Sequence, residues 1–244
     1  MTKNCFRKLG ILIVAGALCA ATGWAQEIPV KNGDKIAFLG DSITAGGMAG
    51  SNGYCRLVIR GLEANGIKAE AIGAGVSGHK SNQMLARLDK DVIAKKPQWM
   101  TLSCGVNDVW HGAKGVELPD YKKNITEIVD KAQAAGIKVM ILTATMIKED
   151  AENDLNKKLA GYNEFLRQLA REKKCLLGDL NAEMQATIAE MKKTNPLPPG
   201  KNYLTGDGVH MAPAGNRMMA TGVLKGFGLS EAQLAKAHEA WAAK

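Results

Sequence analysis

Short apolar runs alternate with longer amphipathic stretches along most of this chain, and the alternation predicts strands followed by helices. Lys35-Ile36-Ala37-Phe38-Leu39 reads as the first strand, followed by a loop and a helix near Tyr54 to Ala64 that Asn65-Gly66 closes. Lys68 to Ile72 reads as a second strand. Across Asn82 to Ala94, Met84, Leu85, Leu88, Val92 and Ile93 fall near one helical face, and Pro97 stops the pattern. Trp99 to Ser103 is a third predicted strand, ahead of a helix from Asp120 to Ala135 ended by Gly136. Lys138 to Leu142 is apolar at every position after the lysine, as a parallel strand covered on both faces requires. A helix from Asn156 to Lys173, a short strand at Cys175 to Leu177 and a helix from Asn181 to Lys192 follow. Pro196, Pro198, Pro199 and Gly200 make Thr194 to Gly206 a loop. Pro213 then opens a helix running toward Phe227, and Ser230-Glu231-Ala232-Gln233 is a capping box opening a terminal one.

Repeated strand-then-helix units imply one α/β domain, a parallel sheet with helices on both faces, without internal repeats or low-complexity segments. In such sheets, sites gather beyond the C-terminal strand ends. Ser42, Gly78 and Asn107 each fall just after a predicted strand.

The N-terminus carries a different pattern. Lys3, Arg7 and Lys8 precede an apolar run from Leu9 to Ala21, and Gly23-Trp24-Ala25 places small residues where a signal peptidase cuts. The run is shorter than the roughly 18 apolar residues that a membrane span needs. Residues 1–25 therefore read as an export signal and 26–244 as the mature domain, periplasmic or extracellular, with no integral membrane segment left after cleavage. A lipoprotein cut at Cys19 fits less well, because Leu18 stands where a small residue belongs. Losing Lys3, Arg7 and Lys8, with no acid among those residues, lowers the formal charge from +8 to +5. The remaining lysines scatter over helix faces, the pattern of a solvated surface and not of a nucleic-acid groove. Cys55, Cys104 and Cys175 remain, an odd number that permits one bridge at most and rules out a disulfide scaffold.

Two runs carry candidate chemistry: Gly40-Asp41-Ser42-Ile43-Thr44 after the first strand, and Thr205-Gly206-Asp207-Gly208-Val209-His210 near the C-terminus. Serine is a poor nucleophile until an imidazole takes its proton, and that imidazole needs a carboxylate to fix its tautomer and stabilise its cation. The three-residue spacing of Asp207 and His210 in a tight turn can bring the carboxylate to Nδ1 and leave Nε2 free. For Gly40-Asp41-Ser42 alone, helix capping by Ser42 or Asp41 is the commoner use of such a turn. Gly73-Ala74-Gly75-Val76-Ser77-Gly78 is literally G-x-G-x-x-G. A dinucleotide site would also need an acidic residue at the end of the next strand, and Leu102-Ser103-Cys104 has none. Gly78 is better read as an N–H donor to a developing oxyanion. The Asn107 amide is a second such donor, or else holds a turn. His79 and His111 neighbour these positions, His238 lies in the terminal helix, and no metal-binding spacing occurs.

Jointly, these blocks resemble the SGNH hydrolases, the GDSL-like esterase family. The match runs through Ser42 in Gly40-Asp41-Ser42-Ile43, Gly78 in Val76-Ser77-Gly78, Asn107 in Gly105-Val106-Asn107-Asp108, and His210 in Asp207-Gly208-Val209-His210. It extends from about Lys35 to Phe227. The resemblance implies a flavodoxin-like, three-layer α/β/α sandwich around a five-stranded parallel sheet, a serine nucleophile and no cofactor. It also implies catalytic Ser42, Asp207 and His210, with an oxyanion hole from Ser42, Gly78 and Asn107. Ile43 replaces the Leu after the serine, and Gly73 and His79 stand where members often carry an Asn and an acid. The implied activity is hydrolysis of carboxylic esters, with an O-acetyl group on a carbohydrate favoured for an exported protein. Trp110, His111 and Tyr203 are candidates to bind sugar, though a core Trp110 and a solvent-facing Tyr203 read equally well. A longer-chain lysophospholipase or thioesterase is the alternative, with Met211, Met218 and Met219 lining an acyl groove if they are not core. An O-acetyltransferase and a non-catalytic glycan-binding module are further alternatives.

Overall fold

All five apolar runs become strands of one parallel sheet in the computed structural model, which describes Met1 and residues 28–243. Residues 2–25 of the expected export signal, with both candidate cleavage points, lie outside the described residues. The strands are β1 (Lys35–Gly40), β2 (Glu70–Gly75), β3 (Trp99–Ser103), β4 (Lys138–Leu142) and β5 (Leu176–Gly178), in the order β2-β1-β3-β4-β5. Leu39 lies opposite Leu102, and Leu102 opposite Ile141, so apolar side chains continue across the sheet. Phe38, Leu39, Met100, Met140, Ile141 and Leu142 are wholly buried. Burying each such side chain contributes roughly 1.5–3 kcal/mol, which forces both faces of these central strands under helices.

The helices supply that cover. α2 (Tyr54–Ala64), α8 (Pro213–Gly226) and α9 (Glu231–Ala242) pack on one another, with α7 (Leu180–Thr194) against α8. α3 (Ser81–Asp91), α5 (Leu118–Ala134) and α6 (Asp154–Glu172) form the other layer. The right-handed crossovers of parallel strands impose this division on a sheet of that order. The result is the flavodoxin-like three-layer sandwich. Met218 and Met219 are buried in α8 as core residues. Cys55, Cys104 and Cys175 are all free thiols.

Two local expectations change. β2 runs on through Gly73-Ala74-Gly75 instead of stopping at Ile72, and Gly75 pairs with Gly40. The glycines there admit a neighbouring backbone: a Cβ on Gly75 would stand 2.4 Å from Ala45 N and 2.8 Å from Thr44 C. The stretch after β1, expected as a loop, forms helix α1 (Ser42–Ala49). Its sequence, Ser42-Ile43-Thr44-Ala45-Gly46-Gly47-Met48-Ala49, has little amphipathic period, and Asp41 nucleates it as a cap. Asn107, read as an oxyanion donor or else a turn residue, lies in a short helix, α4 (Val106–Trp110).

Gly75→Ala should therefore destabilise the fold by about 1–3 kcal/mol, the usual cost of overpacking, in urea or thermal unfolding. Gly46→Ala, in the same helix α1 with nothing within 4 Å of the added methyl, should be neutral or stabilising. Equal unfolding midpoints for the two variants would show that α1 does not rest on β2 as described.

Candidate active site

The C-terminal ends of β1, β2 and β3 deliver three of the expected residues to one edge of the sheet. Gly40 closes β1 where a Cβ would lie 2.0 Å from Thr44 Oγ1, so the chain must turn at a glycine. Asp41 then caps α1, its Oδ1 accepting from Ile43 N at 2.9 Å. The cap is thus Asp41, which leaves the Ser42 hydroxyl available. Ser42 is the first residue of α1, so its N–H has no acceptor within the helix and sits at the positive end of the dipole.

Asp207 and His210 come from the loop before α8. Asp207 Oδ1 accepts from Val209 N at 3.0 Å and His210 N at 2.8 Å, folding the four residues into a tight turn. Its Oδ2 meets His210 Nδ1 at 2.6 Å, and His210 Nε2 lies 2.9 Å from Ser42 Oγ. The hydrogen bond to His210 and the two backbone donors hold the Asp207 carboxyl down to about 2, well below the usual carboxylate range. A second carboxylate braces the loop from outside. Glu149 Oε1 accepts from Leu204 N, Thr205 N and Thr205 Oγ1 at 2.7–2.8 Å, and Oε2 accepts from Tyr203 N. Lys148 N also donates to Gly208 O at 2.6 Å.

On the other side of Ser42 stand Gly78 and Asn107. Gly78 has φ +75, a conformation that disfavours any residue with a Cβ, and its N–H has no backbone acceptor among the described residues. Asn107 Nδ2 donates to Asp41 Oδ2 and to His79 O, each at 3.2 Å. Burial pushes the Asp41 carboxyl up to about 6, with the Ile43 N–H opposing that rise. Asp108, also raised by burial, accepts from Ser81 N at 2.9 Å and so ties α4 to the start of α3.

Arg87 joins these strand ends from α3. Its guanidinium donates to Gly40 O at 2.8 Å, Ala74 O at 2.8 Å, His79 Nδ1 at 3.1 Å and Asp91 Oδ2 at 3.0 Å. Desolvation, and then the nearby Arg87 charge, lower the His79 pKa. Nothing in the sequence marks Arg87, whose spacing to Asp91 reads as an ordinary surface pair on a helix. Asp41 could be read as a cap from its turn, whereas Asp108 and Glu149 could not be singled out, since Ser81 and residues 203–205 lie far from them along the chain.

Ser42, Gly78, Asn107, Asp207 and His210 line one cavity of about 630 Å³, together with Trp110, His111 and Val209. Trp110 is 40% exposed, which places its ring in the cavity wall and not in the core. His111 Nε2 lies 3.3 Å from Asn107 Oδ1. Tyr203 is not in this group. It lines a neighbouring cleft beyond Asp207, its hydroxyl accepting from Leu197 N at 2.8 Å. Among the described residues no cluster of His, Cys, Asp and Glu is arranged as a metal site. A hydroxyl bonded to an imidazole, which is itself bonded to a carboxylate, can attack an acyl carbon, and free N–H groups beside it can take up the resulting negative charge.

The GDSL-like Lipase/Acylhydrolase family model matches residues 38–218. An acetylxylan esterase of Geobacillus stearothermophilus is 29% identical over 218 residues, 82% of this chain and 96% of that protein. The crystal structure of Axe2, an acetylxylan esterase from the same organism, superposes with a TM-score of 0.72 at 27% identity, covering 82% of this chain and 97% of that one. The acetyl xylan esterase AlAXEase superposes at 33% identity with a TM-score of 0.71, covering 78% of this chain and 98% of that one. Strand order, site geometry and these matches together make the chain a member of the GDSL-like lipase/acylhydrolase family and a carboxylic ester hydrolase.

Proposed function

We propose that this chain is an exported esterase that removes O-acetyl groups from carbohydrates, with Ser42 as nucleophile, His210 as base and Asp207 orienting the imidazole. The observation that carries this reading is the 2.9 Å contact from His210 Nε2 to Ser42 Oγ, continued by the 2.6 Å contact from Nδ1 to Asp207. The acetylxylan esterase that aligns along 96% of its own length supports the choice of leaving group, and the signal-like residues 1–25 support action outside the cytoplasm. By contrast, the esterase TesA of Pseudomonas aeruginosa matches only 44% of this chain.

In the reaction, Ser42 Oγ bonds to the ester carbonyl carbon while its proton moves to His210 Nε2. The carbonyl oxygen becomes an oxyanion beside the N–H groups of Ser42 and Gly78. Asn107 can add a third donor, but both of its amide hydrogens are engaged at 3.2 Å, so the oxyanion must displace the His79 carbonyl or Asp41 as acceptor. Collapse breaks the ester C–O bond, and the departing sugar oxygen takes the proton from His210. Water then gives a proton to His210 as its oxygen bonds to the acetyl carbon, and collapse breaks the bond to Ser42 Oγ, which takes the proton back from His210 as acetate leaves. Ionised Asp207 stabilises the imidazolium in both steps.

Ser42→Ala and His210→Ala should each cut turnover of p-nitrophenyl acetate by at least about 10³-fold. Wild-type rates in either purified, folded variant would refute the roles assigned. Asn107→Ala should lower kcat by about 10²–10³ with little change in KM, since an oxyanion donor acts chiefly in the transition state. kcat/KM should fall on acidification, because a protonated imidazole cannot accept the serine proton. Asp207, at about 2, stays ionised on mild acidification, whereas Asp41, at about 6, takes up a proton. The decline should persist in Asp41→Asn; its disappearance there would assign the decline to Asp41.

A further inference from the structure

The cleft beyond Asp207 has no part in the chemistry above. Its volume is about 640 Å³, comparable with the cavity that holds Ser42, and Asp207 lines both. One wall is the proline-rich stretch from Pro196 to Tyr203, the other is formed by Lys148 to Asp150, and Lys192 stands at the end of α7. Tyr203 Oη, accepting from Leu197 N, pins the proline-rich wall against the half-buried tyrosine.

The polar groups of this cleft divide by whether they are already used. Glu149 is saturated by the four donors of residues 203–205, and Asp207 by His210 and its own turn. Asp150 Oδ1 accepts from Glu152 N. The ammonium groups of Lys148, Lys192 and Lys201 have no ion-pair or hydrogen-bond partner among the described residues. Three cations and three carboxylates leave the cleft formally neutral, with uncommitted donors.

That balance selects among ligands. An acyl chain would strip water from unpaired ammonium groups without replacing it, which is costly. An anionic polymer would gain little from a cleft with no net charge. Hydroxyl and ring oxygens of a neutral sugar can accept from the lysines and Asn202, and the exposed part of the Tyr203 ring offers a flat apolar surface beside them. A ligand reaching from Ser42 across Asp207 into this cleft extends beyond the single ring that carries the ester.

We propose that the cleft beyond Asp207 binds the neighbouring sugar residues of an uncharged oligosaccharide ester, so that acetylated oligosaccharides are preferred to acetylated monosaccharides. The proposal rests on the esterase reading of Ser42 and His210, and assigns the cleft to the alcohol side of the bond. Lys192, Lys201 and Asn202 would set specificity and take no part in bond making.

The test compares kcat/KM on p-nitrophenyl acetate, an acetylated xylose glycoside and acetylated xylotetraose, in the wild type and in a Lys192→Ala, Lys201→Ala, Asn202→Ala triple variant. The wild type should favour the tetraose over the monosaccharide by about tenfold or more, as several added hydrogen bonds allow. The triple variant should lose about tenfold on the tetraose, through KM, and keep its p-nitrophenyl acetate rate, which also reports its folding. Equal kcat/KM on the two sugars, or an unchanged KM for the tetraose in the variant, would overturn the cleft assignment while hydrolysis of p-nitrophenyl acetate left the esterase reading standing. A strong preference for a uronate-bearing tetraose would overturn the neutrality argument. A wild type inactive on all three esters would overturn both readings.

Discussion

One imidazole bridges two segments 168 residues apart, and the architecture of this protein can be understood as what keeps that bridge in register. Ser42 is fixed by the end of β1 and the start of α1, whereas His210 belongs to a loop that follows the last strand. Neither end is held by its sequence neighbours alone. The doubly wound sheet solves the problem by setting β1 between β2 and β3, where the strand order reverses, and folding α8 back beside α2. The loop then passes over the C-terminal edge at the point where Ser42 emerges. A Thr205–Met211 backbone bridge and the Glu149 carboxylate stiffen it from both sides.

Polar bracing around the site falls into two sets that share few atoms. Arg87 gathers the ends of β1 and β2 and the His79 ring, and the His79 carbonyl accepts from Asn107 in turn. This set lies on the Gly78 side, where the chain has Gly73 and His79 in place of the Asn and acid that many members carry. A guanidinium with several donors reaches three backbone or ring acceptors at once, which a shorter polar side chain cannot do. Glu149 does the corresponding work for the histidine loop with the opposite charge. Each brace is a charged group spending its hydrogen bonds on main-chain partners, so the loops it holds are set by geometry more than by their own composition.

The sequence made the strands legible because central parallel strands are apolar at successive positions, and Trp99–Ser103 and Lys138–Leu142 have the limits their composition implies. The blocks carrying Ser42, Gly78 and Asn107 can be read because each falls just after a predicted strand, whereas His210, which follows the proline-rich loop, is marked by its three-residue spacing from Asp207. Less legible were α1 and α4, whose short spans give the helical period too few turns to declare itself. The extension of β2 was hidden for a different reason. Gly73 and Gly75 look like loop residues until the neighbouring helix is in place to require them. Arg87 and Glu149 were invisible because their partners lie across the sheet or far along the chain, and Tyr203 was grouped with the Ser42 cavity on sequence proximity to Asp207 when it faces the next cleft.

The free thiols have a practical consequence. Cys55 and Cys104 are buried and hard to ionise, the Cys55 thiol being pushed up to about 12, so neither offers a thiolate to an alkylating reagent while the fold is intact. Cys175, half-buried just before β5 and pushed up to about 11, is the most accessible thiol among the described residues. It sits at the opposite edge of the sheet from Ser42, so a fluorophore attached there would report on the scaffold from a distance, and the reactivity of Cys55 and Cys104 would time its opening.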